Sequence, residues 1–255
     1  MTKMSKPRVA VITGAAGGIG QAFAERLAKD GADIVAVDLK VGDETRRLVE
    51  AQGQRALALT GDVTDPVQVE MIRLKALAEF GKVDILINNA GIYPIKDFSD
   101  ISWEDWRTLL ALNLDAPFLM SKAFVPTMVA NGWGRIVNLA SNTFGLSVSG
   151  LSHYIASKGG IIGFTRGLAS DLGIHGITVN ALAPGLTRTP GVLARGVGSN
   201  GRSQDEEFQQ LAQAQAIRRT LVPRDLVGML SYLASEESDV FTGQTVYVDG
   251  GLVRG

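Results

Sequence analysis

Tyr154 and Lys158 are the residues whose types and spacing first suggest chemistry, because they stand four positions apart in the chain. On a helix this spacing places both side chains on one face. A phenol with a pKa of about 10 exchanges protons poorly at neutral pH, and a nearby ammonium lowers that pKa by favouring the phenolate. The same spacing also occurs where a lysine stem packs beside a buried tyrosine. The rest of the chain must decide between an acid–base pair and ordinary packing.

Ser141 is a candidate third member of this group. It follows the apolar run Gly134-Arg-Ile-Val-Asn-Leu-Ala140, which is typical of a buried strand. The helix that carries Tyr154 comes next, so a hydroxyl at the end of the strand could reach the same place. A serine hydroxyl there would donate a hydrogen bond to a reacting oxygen.

The composition gives no support to several other kinds of site. The 255-residue chain has a formal net charge of −1, with no basic stripe of the kind that binds nucleic acid. It contains no cysteine and only two histidines, so we predict no bound metal and no Ser-His-Asp triad. Hydrophobic residues make up 45% of the chain, but no apolar run of about 18 residues suggests a membrane span. We therefore expect a cytoplasmic protein with a sizeable core and no membrane partner.

A nucleotide-binding unit is predicted near the start of the chain. Arg8–Thr13 is typical of a buried parallel strand. It leads directly into Gly14-Ala-Ala-Gly-Gly18-Ile-Gly20 and then into a helical pattern. The glycines let the backbone approach a pyrophosphate, and the helix N-terminus offers unpaired N–H groups.

Asp38 indicates which dinucleotide this unit binds. It ends the next apolar strand, Asp33–Asp38, about twenty residues after the glycine loop, where an acid accepts hydrogen bonds from the ribose hydroxyls. Its carboxylate would repel a 2′-phosphate, and no arginine lies within the loop or directly after Asp38. We expect NAD rather than NADP.

Later strand ends carry further polar groups. Asp62 and Val63 follow a predicted strand over 55–60, and Asn88-Asn89-Ala90-Gly91 follows another over 83–87. Asp62 could contact an adenine amino group or serve in a turn or helix cap, and the sequence leaves both open. Asn113 lies in the long helical region Trp103–Asn131, where a buried amide needs a partner.

Strands and helices alternate along the whole chain, which predicts βαβ crossovers and a parallel sheet. No linker, repeat or internal boundary divides the sequence, so we expect one domain over 1–255. Residues 188–203 contain several glycines and little periodicity. A long stretch of this kind in a compact domain predicts a substrate lid at about 185–215.

Taken together, these segments resemble the short-chain dehydrogenase/reductase family over nearly the whole chain. The resemblance rests on Thr13-Gly14-x-x-x-Gly18-x-Gly20, Asp62-Val63, Asn88-Asn-Ala-Gly91, Asn113, Ser141, Tyr154-x-x-x-Lys158, Pro184-Gly185 and Thr187. It implies a single-domain, Rossmann-type α/β fold: a doubly wound sheet of seven parallel strands with helices on both faces. It also implies a homotetramer paired through the Tyr154–Lys158 helix, which would explain the glycines at 159, 160, 163 and 167.

The resemblance assigns a role to each candidate residue. Tyr154 would be the proton donor or acceptor, and Lys158 would lower its pKa and hold the nicotinamide ribose. Ser141 would bind the substrate oxygen, and Asn113 would support a water that relays protons outward. The implied contacts to NAD are made by Gly14, Gly18, Ile19, Gly20, Asp38, Asp62, Val63, Asn89, Tyr154, Lys158, Pro184, Gly185 and Thr187.

The expected substrate is a small to medium hydrophobic secondary alcohol or ketone, and aromatic compounds are among the candidates. The predicted pocket is mainly apolar, with no arginine or lysine clearly placed for a carboxylate or phosphate. Its lining includes Tyr93, Asn142, Phe144 and Leu186. The segment 91–94 and the segment 123–135 are similar to NAD-dependent aryl secondary-alcohol dehydrogenases of the phenylethanol type. The segment 140–144 and the pair of glycines after Lys158 are similar to pyridoxal dehydrogenases instead.

Other functions stay open at this point. A 3-oxoacyl-carrier-protein reductase shares the motifs, although Asp38 speaks against the NADPH that it usually needs. A sugar or polyol dehydrogenase would need a pocket richer in polar groups. A nucleotide-sensing scaffold without turnover would not need Ser141, Tyr154 and Lys158 together, so we favour an enzyme acting on CH–OH groups.

Overall fold

The protein is organised around one parallel sheet, seen in a computed structural model that describes residues 4–196 and 203–254. Its seven strands are arranged in the order β3-β2-β1-β4-β5-β6-β7, and every pairing is parallel. The strands are β1 (Arg8–Thr13), β2 (Ala32–Asp38), β3 (Ala56–Thr60), β4 (Ile85–Asn88), β5 (Gly134–Leu139), β6 (Ile177–Pro184) and β7 (Thr245–Val248). The expected doubly wound α/β fold is confirmed.

Helices cover both faces of this sheet. They are α1 (Gly18–Lys29), α2 (Asp43–Glu50), α3 (Pro66–Phe80), α4 (Trp103–Leu110), α5 (Ala116–Asn131), α6 (Ser152–Leu172), α7 (Pro190–Leu193), α8 (Gln204–Ala214) and α9 (Val227–Leu233). One core layer joins α1, α2 and α9 to the sheet, and a second joins α3, α5 and α6 to its other face. Because all strands run in one direction, their carboxyl ends meet at one edge, where such folds bind ligands.

The strands are apolar because both of their faces are covered. Successive side chains of a strand point to opposite faces, so Ile12 and Ile34 enter one core layer while Val11 and Val35 enter the other. All six residues of β1 and all six of β5 are buried. A parallel strand covered on both faces needs such a continuous apolar run, which is why the sequence locates these strands closely.

The region Trp103–Asn131 is helical throughout, but its middle turn is wider than an α-helix. Residues Ala111–Asp115 form a π-helical turn between α4 and α5, and this turn contains Asn113. Hydrophobic periodicity does not reveal such a turn, which often marks functional positions in helices. The region is long and apolar enough to cross a membrane by length and mean hydropathy, 1.2, alone. However, Met120, Phe124 and Met128 are fully buried in the core layer, as expected of a core helix.

The predicted lid contains two helices and a segment outside the described residues. Pro190–Leu193 forms α7, capped by the Thr189 side chain, and α8 begins after Ser203 with a reciprocal capping box to Glu206. Residues 197–202, in the middle of the predicted lid, lie outside the described part. Arg188 forms an ion pair with Asp205 at 2.9 Å, which joins the described parts of the lid before and after residues 197–202.

Thr13 ties the carboxyl end of β1 to the chain that leaves β4. Its hydroxyl oxygen accepts hydrogen bonds from the backbone N–H groups of Asn89 and Ala90, both at 3.0 Å. Thr13 is only 2% exposed, so water cannot replace this acceptor. The hydroxyl therefore positions the two loops on either side of the future binding site.

We predict that Thr13→Val lowers the free energy of unfolding by about 1–3 kcal/mol, because it leaves two backbone donors without their acceptor. Thr178→Val is the matched control, since the Thr178 hydroxyl is buried but has no hydrogen-bond partner within the described residues. Urea unfolding of both variants measures the difference. An equal loss in the two variants would contradict the role given to Thr13.

Candidate active site

The glycine loop has the shape that close approach of a phosphate requires. Gly14 and Gly18 have φ angles of 65° and 58°, which side chains rarely tolerate. A Cβ on Gly20 would clash with the Gly14 carbonyl oxygen, so this loop conformation requires glycine at position 20. Gly17, at the N-cap of α1, provides no side-chain cap for the first N–H groups of the helix. These residues fit a dinucleotide pyrophosphate.

Asp38 is fixed beside this loop at the end of β2. Its Oδ2 accepts a hydrogen bond from the Ala16 N–H at 2.9 Å, and its Oδ1 accepts one from the Lys40 N–H at 3.1 Å. A carboxylate has about four acceptor positions, so two bonds leave capacity for ribose hydroxyls. The structure thus brings Asp38 to the glycine loop, as the sequence predicted.

Asn89 and Asp62 also hold the loops of this edge in place. The Asn89 amide donates to the carbonyl oxygens of Thr13 and Gly14, at 2.9 and 3.1 Å. Asp62 Oδ1 accepts from both the N–H and the hydroxyl of Thr64, at 2.8 Å each, in a side-chain turn. Asp62 therefore has the role in a turn that was one of its two possible roles. Contact of Asp62, Val63 or Asn89 with a cofactor stays a prediction.

The start of the predicted lid lies against the glycine loop. A Cβ on Gly18 would lie 3.5 Å from Thr189 Cβ, a contact that sequence reasoning missed. Thr187 is buried, donates its hydroxyl to the Gly185 carbonyl at 2.9 Å, and forms an isolated bridge with Leu221. The predicted group Ile19, Pro184, Gly185, Leu186 and Thr187 therefore lies along the carboxyl edge or next to it.

Tyr154, Lys158 and Ser141 meet where β5 ends against α6. Tyr154 and Lys158 both lie in the first two turns of α6, and Ser141 directly precedes the short turn after β5. The Lys158 ammonium lies 5.7 Å from the Tyr154 ring centroid and donates to the Leu139 carbonyl at 2.6 Å. The Ser141 side chain lies close enough to the Tyr154 hydroxyl to lower the pKa of that phenol. The three predicted residues are thus brought together.

Burial controls the protonation of this group. It raises the pKa of Tyr154, while the Ser141 side chain and the positive charge of Arg195 act in the opposite direction. Burial also lowers the pKa of Lys158 to about 8. The Lys158 ammonium donates to the Leu139 carbonyl, and the groups that favour the Tyr154 phenolate are Ser141 and Arg195. Lowering of the Tyr154 pKa by Lys158 stays a prediction, and desolvation acts on both residues.

Asn113 links this group to the β4 loop. Its amide oxygen accepts from the Ile92 N–H at 2.9 Å, and its nitrogen donates to the Ile92 carbonyl at 2.8 Å and to Ser157 Oγ at 3.2 Å. Ser157 in turn donates to the Tyr154 carbonyl at 2.7 Å. The buried amide is therefore satisfied by a positioning network, and support of a water by Asn113 stays a prediction.

Tyr93 and Arg195 form a wall beside Tyr154. The Tyr93 and Tyr154 ring centroids are 5.9 Å apart, and the Arg195 guanidinium carbon lies 4.1 Å from the Tyr93 ring centroid. The expectation that no arginine is placed near the pocket is wrong. Arg195 could not be located from the sequence because it lies in the aperiodic lid, about forty residues from Tyr154, and only the fold of that lid brings it back.

The other side of the predicted pocket is more constrained than expected. Phe144 is half exposed, and a Cβ on Gly159 would lie 2.8 Å from its ring, so Gly159 makes room for it. The Asn142 side chain is buried and donates to Asp249 at 3.2 Å, so it anchors the C-terminal segment. Asp249 also accepts from the Val253 N–H at 2.8 Å. The sequence gave no signal for this packing of the C-terminus.

The four glycines of α6 fall into two pairs with different surroundings. A Cβ on Gly159 or Gly160 would clash with side chains of the same chain, Phe144 and Leu114 respectively. In contrast, a Cβ on Gly163 or Gly167 would meet nothing within 4 Å. Close packing within the chain therefore explains two of the glycines, and the other two lie on an open side of the helix.

Known proteins with similar sequences and structures cover nearly the whole chain. A family model described as enoyl-(acyl-carrier-protein) reductase matches residues 14–253. A short-chain dehydrogenase/reductase of Armillaria gallica is 38% identical over 257 residues, covering 99% of this chain and 98% of that protein. The 3-oxoacyl-[acyl-carrier-protein] reductase FabG of Escherichia coli is 35% identical over 245 residues, covering 96% and 97%.

A similar solved structure carries a cofactor. It comes from Beutenbergia cavernae, is described as an NAD(P)-dependent gluconate 5-dehydrogenase, and contains NADP at low occupancy. It superposes with a TM-score of 0.89 at 35% identity and covers 99% of each chain.

The buried Lys158 predicts a pH-dependent stability. Its pKa is about 8 in the folded protein and about 10.5 when unfolded, so between these values the unfolded chain binds more protons. The free energy of unfolding should therefore rise with pH over this range. The expected rise is about 3 kcal/mol larger for the wild type than for Lys158→Met, because methionine has no proton to lose. Urea unfolding of both proteins without cofactor, from pH 7.5 to 10.5, measures this. A difference that stays constant with pH would contradict it.

Proposed function

The chain belongs to the short-chain dehydrogenase/reductase family, and we propose that it is an NAD-dependent enzyme that interconverts a secondary alcohol and a ketone. The observation that carries the proposal is the meeting of Ser141, Tyr154 and Lys158 at the strand edge that also holds the glycine loop and Asp38. A binding or sensing protein would need the dinucleotide loop but not this buried acid–base group.

In the proposed reaction, these residues control one proton. When the alcohol is oxidised, Ser141 Oγ donates a hydrogen bond to the substrate oxygen and Tyr154 Oη, as the phenolate, accepts the hydroxyl proton. Lys158 holds the nicotinamide ribose, and the bound nicotinamide supplies the hydride acceptor. In reduction, Tyr154 returns the proton to the same oxygen. Asn113 fixes the loop at Ile92 and, through Ser157, the helix turn that carries Tyr154.

The proposed cofactor is NAD, and Asp38 supports this choice. Its carboxylate is fixed next to the glycine loop by the Ala16 N–H, so a 2′-phosphate at this position would meet a negative charge. The Beutenbergia cavernae relative contains NADP, so family membership alone does not choose between the cofactors.

The proposed substrate packs an apolar body against Tyr93 and Phe144, as an aryl or alkyl carbinol would. Resemblance to phenylethanol dehydrogenases stays a prediction, as does the pyridoxal alternative. The relatives also include proteins named for gluconate, acyl-carrier-protein and 2-dehydro-3-deoxy-D-gluconate substrates. A sugar-acid or acyl substrate is the second candidate, and the cationic Arg195 beside Tyr93 is the observation that favours an acidic one. The homotetramer and the cytoplasmic location stay predictions from the sequence.

We predict that Tyr154→Phe lowers kcat by about 10²- to 10⁴-fold, the usual contribution of a positioned acid–base group. The variant loses only the hydroxyl and keeps the ring packed against Tyr93. The shape of the site is therefore retained, and NADH binding should change little. Tyr232→Phe, which changes a tyrosine packed against Phe241 away from this site, is the matched control. Activity is measured as NADH formation with a panel of aryl carbinols, aliphatic secondary alcohols, polyols and pyridoxal.

Two outcomes of this assay would contradict the proposal. Unchanged turnover by Tyr154→Phe would remove Tyr154 from the proton transfer. Initial rates with NADP equal to or above those with NAD would overturn the role given to Asp38.

A further inference from the structure

Three hydrogen-bond donors in the wall beside Tyr154 have no acceptor. The Tyr93 hydroxyl and the Nε and Nη1 atoms of Arg195 are buried, and none has a hydrogen-bond partner within the described residues. The guanidinium carbon lies over the Tyr93 ring, 4.1 Å from its centroid. Burial raises the pKa of Tyr93 to about 12, so this phenol stays protonated and remains a donor at neutral pH.

A buried donor that lacks an acceptor is unfavourable, and the penalty is larger for a charged group. The unsatisfied donors of Arg195 therefore destabilise the fold when no ligand is bound. A ligand with acceptor oxygens would satisfy them. A guanidinium presents its donors in a planar fork that matches the two oxygens of a carboxylate. The unsatisfied atoms of Tyr93 and Arg195 can all donate, so an anion is the ligand group that complements these two side chains.

We propose that Arg195 and Tyr93 bind a carboxylate group of the substrate. This inference rests on the proposed function, because it concerns the same reacting alcohol or ketone. It narrows the substrate class to hydroxy acids and keto acids whose apolar or aromatic body packs beside Tyr93. Arg195 is thereby a specificity-determining residue carried by the lid.

The distances limit where that carboxylate lies. The guanidinium carbon of Arg195 is at most about 10 Å from the Tyr154 ring centroid, because both are measured to the Tyr93 ring between them. A carboxylate held by Arg195 is thus separated from the carbon that reacts at Tyr154 by a few bonds. The predicted substrates are compact acids rather than long-chain ones.

Within the described residues, the charged neighbours of Arg195 leave two of its donors without a hydrogen-bond partner. Glu207 faces the same cluster, since its charge raises the pKa of Tyr93, yet Arg195 Nε and Nη1 still have no partner in the part of the chain that the structure describes. Arg188, another arginine of the lid, is different. It is exposed, forms an ion pair with Asp205 and stacks over Phe208. Arg188 therefore offers a control that changes the charge of the lid without changing the proposed site.

The test compares acids with their neutral esters. The probes are 3-hydroxy-3-phenylpropanoate, 4-hydroxy-4-phenylbutanoate and 5-hydroxy-5-phenylpentanoate, each with its methyl ester, and 1-phenylethanol. For at least one acid, the wild-type kcat/KM should exceed that of its ester by about ten- to hundredfold, the size expected for charge-assisted hydrogen bonds. Arg195→Met should abolish this preference, which is the ratio of acid to ester within one variant and so does not depend on how the variant changes the basal rate. Arg188→Met should keep the preference.

A binding measurement separates this inference from the proposed function. Calorimetry with the unreactive 4-phenylbutanoate and its methyl ester, in the presence of NADH, should show a preference for the acid that Arg195→Met removes, whether or not turnover occurs. Turnover of neutral alcohols without any preference for acids in either assay would overturn the inference alone. Absence of turnover with every probe would overturn the proposed function instead. If Arg195→Met does not fold, Arg195→Lys gives the same comparison with a partial loss.

The anion could also be a phosphate of the cofactor, and the same variant distinguishes this source. Arg195→Met should leave the dissociation constant of NADH unchanged within about twofold. Weaker NADH binding together with an unchanged preference for acids would overturn the proposal.

Discussion

The site depends on how the chain that leaves β4 is tied to its neighbours. Thr13 accepts the N–H groups of Asn89 and Ala90, and the Asn89 amide holds the backbone of the glycine loop. Three residues later, Ile92 exchanges two hydrogen bonds with Asn113, whose amide also reaches the catalytic helix. One short segment thus fixes the cofactor loop and the acid–base group relative to each other. Such preorganisation is what proton and hydride transfer require.

Desolvation sets the chemical character of the site. Lys158 is 5% exposed and has its pKa lowered, while burial raises the pKa of Tyr154. Both pKa shifts disfavour the charged forms, the Lys158 ammonium and the Tyr154 phenolate. Ser141 and the more distant Arg195 favour the phenolate. Arg195 therefore contributes to the electrostatics of the acid–base group.

The fold and the reacting residues can be predicted from the sequence far better than the residues beside Tyr154, such as Arg195. Parallel strands buried on both faces, such as β1 and β5, have apolar runs that show their position directly, and Tyr154 and Lys158 have a spacing with a local meaning. The π-helical turn at Asn113 has no such signature, because one wider turn barely alters the hydrophobic period. Arg195 and the Asn142–Asp249 contact join parts of the chain that are distant in sequence, and only the tertiary packing brings them together.

We propose that a hydride passes from a carbinol carbon to NAD at this edge of the sheet while Tyr154 takes the proton. The most direct measurement uses a secondary alcohol substrate deuterated at the carbinol carbon, with mass spectrometry of the NADH recovered after oxidation. The account predicts one deuterium in each NADH formed, because hydride passes directly between the two carbons. NADH that forms without deuterium would contradict it.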